Sequence, residues 1–206
     1  MNQIEALQRL HESSMTVLET RDAAALLRVS ASNATTILRR LAREQMIMHL
    51  SYGRWLVARN TDRFWLPELI SAPAPAYVSL QSALYLHGLI EQIPATIYAV
   101  RLGRARRLDT PVGSISFHHV PTPLFTGFEL SDRSDAKVTT PEKALFDLFY
   151  LGPARSRLFA DLPEVTVPKG FRWSTVVGYL RDVPSARRRA YIEARIATMR
   201  ARRPNS

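Results

Sequence analysis

Ser30-Ala31-Ser32-Asn33-Ala34-Thr35-Thr36-Ile37-Leu38-Arg39-Arg40-Leu41-Ala42-Arg43 is the stretch on which the fold of the first part of the chain turns. Its apolar residues Ala34, Ile37, Leu38 and Leu41 recur at i, i+3, i+4 and i+7, the stripe of a half-buried helix. Ser30 or Ser32 stands where an N-cap is needed, and the pattern predicts a helix reaching about Gln45. The other face offers Ser32, Asn33, Thr35, Thr36, Arg39, Arg40 and Arg43, with no carboxylate before Glu44. Short polar side chains near a helix start can approach base edges, and arginines further along can reach phosphates. These seven residues form the candidate DNA-binding face.

Upstream, Ile4, Leu7 and Leu10 place a first helix over residues 3–12. Met15-Thr16-Val17-Leu18 reads as a short extended piece, and Thr20 as the cap of a short helix through Leu27. Downstream, Ile47–Leu50 and Arg54–Val57 flank Ser51-Tyr52-Gly53, the pattern of a β-hairpin. Helix, short helix, turn, helix and hairpin is the order of a winged helix-turn-helix, assigned to residues 1–65. Arg54, near the turn, joins the candidate DNA contacts; Trp55 reads as core of the wing.

The charge balance points the same way. The 206 residues carry 28 Lys+Arg against 18 Asp+Glu, a formal net charge of +10. Only Lys137, Lys143 and Lys169 are lysine, so the excess is arginine, whose fork suits phosphates and base edges. The absence of cysteine excludes disulfides, thiolate nucleophiles and Cys-ligated metals. No run of about 18 apolar residues suggests a membrane span, and the N-terminus lacks a secretory pattern. The expectation is a cytoplasmic protein with no membrane partner.

An Ala/Pro stretch, Ser71–Ala76, reads as the end of a linker to a second unit over residues 77–206. There, Ser79 is placed to cap a helix that turns Ala83, Leu84 and Leu86 inward and ends at Gly88. Ala95–Val100 and Ser114–Val120 read as strands, with a turn at Thr110–Gly113. Thr140-Pro141-Glu142-Lys143 opens a helix with buried Ala144, Leu145, Leu148 and Phe149. Val165–Val167 is strand-like, and helices follow near 175–181 and 185–202. The expected fold class is α/β (α+β), with a mixed α/β unit and C-terminal helices behind the winged helix.

The ordered run Tyr77-Val78-Ser79-Leu80, Ser82-Ala83-Leu84, His87-Gly88-Leu89, Ile93-Pro94, Thr110–Gly113, Phe117-His118 and Thr139–Asp147 resembles the AbiEi antitoxins of abortive-infection systems. The resemblance covers roughly residues 10–155. It implies a winged helix joined to an α/β antitoxin domain, with the family's two functions: repression of its own operon by binding operator inverted repeats, and opposition to a nucleotidyltransferase-type toxin of a type IV toxin–antitoxin pair. The same pattern leaves open a nucleic-acid-processing enzyme targeted by a winged helix, or a plain ligand-responsive transcriptional regulator.

Catalytic signals are weak. The glycines form no phosphate-binding loop. His118 and His119, adjacent in a strand, point to opposite faces and cannot share a metal. Asp135-Ala136-Lys137 has the spacing of a nuclease half-motif but, with no second acid placed on a neighbouring strand, reads as a polar loop; His87 reads as a structural contact, and Glu142-Lys143 as a helix first turn. The expectation is no catalytic residue, no metal and no cofactor. Arg181–Arg203 contains eight arginines. Ile192, Ile196 and Met199 form a stripe bordered by Arg188, Arg195 and Arg202, which are candidates for additional nucleic-acid contact.

Overall fold

The computed structural model describes residues 2–58, 61–132, 135–152 and 164–201. Its fold is α/β, with two sheets and helices on both faces of the larger one. The first part runs α1 (Gln3–Glu12), β1 (Val17–Glu19), α2 (Thr20–Leu27), α3 (Ala31–Arg43), β2 (Met48–Ser51) and β3 (Arg54–Leu56). The three strands form an antiparallel sheet in the order β1-β3-β2. Each boundary has a local cause. Glu19 and Asp22 form a capping box at the start of α2, with the Glu19 amide donating to Asp22 at 3.0 Å, so Thr20 is the first helical residue rather than the cap. Arg28 ends α2 in the left-handed conformation, φ 55°, and Ser30 caps α3 by accepting the Asn33 amide at 3.3 Å. Ala34, Leu38 and Leu41 of α3 are buried, the two leucines in one core with Ala6, Leu10, Leu18, Ala23, Leu27 and Trp55.

Immediately ahead of the Ala/Pro stretch, residues 66–71 are not part of a linker. They form α4 (Leu66–Ser71), whose Leu66 and Ile70 are buried. After it come β4 (Ala76–Val78), α5 (Leu80–Leu86), β5 (Thr96–Arg101), β6 (Arg106–Thr110) and β7 (Gly113–His119). A short 3-10 turn, Thr122–Leu124, leads to β8 (Phe128–Leu130), β9 (Lys137–Thr139) and α6 (Pro141–Leu151). The described chain ends with α7 (Trp173–Gly178) and α8 (Ala186–Ala201). The six strands lie in the order β6-β7-β5-β4-β9-β8, with β5/β7 and β4/β9 parallel and the other pairs antiparallel.

One face of this sheet meets α5 and α6, and α7 and α8 pack outside α6. Helix α6 therefore has neighbours on every side, and Glu142 through Leu151 are all buried. The other face turns Ile97, Ala99, Ile115 and Phe117 into a cluster with Leu66 and Ile70 of α4 and with Leu50 and Leu56 of the hairpin. The two parts of the chain thus share apolar core through α4. Several local expectations change. Ser79 precedes α5 but gives its hydroxyl to Asp147 at 2.8 Å, not to the helix. Leu86 is exposed, because α5 ends there and turns away from the core. Val165–Val167 forms no strand; the Thr166 amide makes one bond, to the Leu89 carbonyl at 2.8 Å.

Candidate nucleic-acid interface

Helix α3 and the β2–β3 hairpin enclose an open cleft of about 590 Å³, lined by Thr35, Arg39, Arg43, His49, Tyr52 and Trp55 among others. The hairpin is tied to the start of α2. The Thr20 amide donates to the Gly53 carbonyl at 2.8 Å, and the Trp55 indole donates to Thr20 Oγ1 at 3.0 Å. Gly53, φ +67°, makes the hairpin turn in a conformation that disfavours a side chain. Trp55 is buried beneath the cleft, as its sequence position implied, and its ring lies 4.5 Å from that of His49.

The exposed surface of α3 presents Ser32, Asn33, Thr36, Arg39, Arg40 and Arg43, and Thr35 is half-buried at the cleft wall. Thr35 and Thr36 donate their hydroxyl protons to the Ala31 and Ser32 carbonyls at 2.9 and 3.1 Å. Their oxygen lone pairs therefore face outward as acceptors. Arg39, Arg40 and Arg43 form no ion pair among the described residues. Three uncompensated guanidinium groups on one helix face form a phosphate-seeking surface.

Arg54 is not at the hairpin tip. Its guanidinium reaches back to the end of α4, donating to the Leu69 carbonyl at 3.2 Å, to the Ile70 carbonyl and to the Ala72 carbonyl at 2.8 Å, and pairs with Glu19 at 3.1 Å. A cation at a helix C-terminus satisfies carbonyls that lack intrahelical donors. With those donors occupied, Arg54 joins the hairpin to α4 instead of presenting a free phosphate contact. The tip is Tyr52, wholly exposed. Sequence reasoning passed over Tyr52 and His49, although an aromatic beside Gly in a hairpin turn was a readable signal.

The C-terminal arginines are dispersed. Arg188 lies 4.8 Å over the Tyr150 ring, Arg189 donates to the Val183 carbonyl at 2.6 Å, and Arg195 is half-buried. The first two thus serve to seat α8, while Ile192 and Ile196 fill the core beneath it. Arg202 lies outside the described residues.

Four of the residues weighed for catalysis are engaged elsewhere, while His119 and Asp135 are exposed. His87 Nε2 is 2.6 Å from the Thr139 carbonyl. His118 bonds Ser116 Oγ at 3.0 Å, and burial lowers its pKa to about 4. Lys137 is ion-paired with Glu68. Glu142 accepts the Arg172 amide at 3.0 Å. Among the described residues no group of three His, Asp or Glu side chains is placed to hold a metal, and no helix is long and apolar enough to cross a membrane.

No protein-family model matches the chain, and no curated protein matches it.

Proposed function

We propose that the chain is a DNA-binding transcriptional repressor, with α3 and its hairpin acting as a winged helix on operator DNA, and that it serves as the antitoxin of a toxin–antitoxin pair. The observation that carries the DNA reading is the exposed face of α3. Its amino-terminal half offers hydroxyl and amide groups, and its carboxyl-terminal half offers three unpaired arginines. A recognition helix lying in the major groove would set Ser32, Asn33, Thr35 and Thr36 toward base edges and Arg39, Arg40 and Arg43 toward the flanking phosphates. Tyr52 and His49 on the hairpin then close the other side of the bound duplex.

The antitoxin part rests on the likeness of residues 77–147 to AbiEi proteins, and the opposing toxin is then a nucleotidyltransferase-type enzyme. Direct contact between the two is not needed for this reading, because repression and antagonism of the toxin's effect are separable functions. Gel-shift titration of the DNA upstream of this gene against a scrambled duplex tests the first part. Selective retardation of the upstream duplex is expected; equal affinity for both would overturn operator recognition. Co-expression tests the second: rescue of growth from the toxin encoded beside this gene is expected, and undiminished toxicity would overturn it.

A further inference from the structure

The segment Arg101-Leu102-Gly103-Arg104-Ala105-Arg106-Arg107 carries four arginines across the end of β5 and the start of β6. It adjoins the hairpin: β6 packs against β2, and Arg106 donates to the Ile70 carbonyl at 3.2 Å, the same oxygen that Arg54 bonds. Two guanidinium groups therefore meet at one atom, at the end of α4. Arg101 adds a third, its guanidinium 5.3 Å above the Phe117 ring, with that of Arg106 at 5.4 Å from the same ring.

Arg107 pairs with Asp109 at 3.7 Å, but the remaining charge there is not balanced. Glu19, the carboxylate paired with Arg54, also pairs with Arg21 at 2.9 Å. Arg101 makes no side-chain hydrogen bond among the described residues, and its Nε is buried without an acceptor. Arg104 is exposed and likewise has neither an ion pair nor a side-chain bond among them. Burial and then the neighbouring cations lower the pKa of Arg101. Cations held this closely repel one another, and among them Arg101 Nε lacks the acceptor that a buried donor requires.

We infer that the β5–β6 segment is a second phosphate-binding surface, on which Arg101 and Arg104 hold backbone phosphates of the duplex seated against α3. This inference rests on the DNA reading of α3 and extends it across the hairpin to the second sheet. A lone recognition module buries limited area on DNA, and a contact beyond its wing lengthens the footprint along the backbone. Because such contacts meet phosphates and not base edges, they raise affinity for every sequence alike.

The test uses the full chain with Arg101→Gln and Arg104→Ala, singly and together, titrated by fluorescence anisotropy with the upstream duplex and a scrambled one over a series of salt concentrations. Affinity for both duplexes should fall by the same factor, leaving their ratio unchanged. The slope of log affinity against log salt should decrease by about one unit per substitution. Arg104 is a solvated loop residue, so its single variant reports on binding even if loss of Arg101 disturbs packing on Phe117; circular dichroism checks both. Folded variants with the parent's affinity and slope would overturn the inference while leaving α3 in place. A melting-temperature rise with inorganic phosphate that Arg101→Gln abolishes, with DNA slopes unchanged, would reassign the cluster to a free anion and overturn it too. A parent chain that binds no duplex would instead remove the reading of α3 on which this one stands.

Discussion

Lys143 and Asp147 lie four residues apart on α6 with no side-chain exposure, in contact as an ion pair. Lys143 Nζ also donates to the Tyr77 hydroxyl at 3.2 Å, and Ser79 donates to Asp147 at 2.8 Å. The ammonium is surrounded by the rings of Tyr77, Phe146 and Tyr179 at 5.5 to 5.6 Å. Burial pushes the Asp147 carboxyl above the ordinary carboxylate range, and Lys143 and the two hydroxyls pull it back. Removing one member leaves the other buried without its counter-charge. Lys143→Met should therefore cost about 3–5 kcal/mol in urea unfolding, while Lys143→Met with Asp147→Leu should recover most of that loss. A double variant as unstable as the single would contradict this account of the pair. The sequence showed Thr140-Pro141-Glu142-Lys143 as a helix start, which it is, with Thr140 as cap. It could not show the burial of Lys143, because Tyr77 and Ser79 are brought to it from more than sixty residues away.

His118 gives the fold a pH dependence with a definite sign. In the folded chain burial holds its pKa near 4, whereas an unfolded imidazole titrates near ~6.5. Its contribution is complete above the unfolded value. It is lost as pH falls from there toward 4, because the unfolded chain takes up the proton first, a loss of as much as about 3 kcal/mol. The difference in stability between the parent and His118→Gln should follow that window. A difference that stays constant from neutral pH to pH ~4 would contradict the burial of a neutral ring.

At the scale of elements, strongly periodic segments were readable and polar edges were not. Helix α1 spans Gln3–Glu12 as the Ile4, Leu7, Leu10 spacing required, and α3 begins after the serine cap its stripe demanded. Strand β6, Arg106-Arg107-Leu108-Asp109-Thr110, escaped notice because an edge strand with four polar residues of five shows no apolar alternation. Helix α4, six residues just ahead of the Ala/Pro stretch, is too short to show a helical period, and its apolar residues find their partners in the hairpin and in β5 and β7. Arg54 is the polar tie of that junction. Arg54→Ala should lower stability by about 2 kcal/mol in denaturant titration, the scale of charge-assisted hydrogen bonds lost from a partly buried site. An unchanged midpoint would show that the apolar cluster alone joins the hairpin to α4.

Over the whole molecule, two groups of arginines stand out among the described residues. Arg54, Arg188 and Arg189 have their donors or faces occupied by carbonyls and an aromatic ring, and they hold elements together. Arg39, Arg40, Arg43 and Arg104 stand exposed and form no ion pair among the described residues. Composition alone could not separate the two, because both kinds add equally to the net charge; only the placement of α4 and Tyr150 does so. The central claim is that the free arginines of α3 meet the backbone of bound DNA, and the salt dependence of affinity reads that most directly. Arg39→Ala with Arg40→Ala, compared with the parent on the upstream duplex, should weaken binding and reduce the log–log salt slope by about two units, one for each lost phosphate contact. A folded double variant that keeps both the parent's affinity and its slope would contradict the claim and remove α3 from the interface.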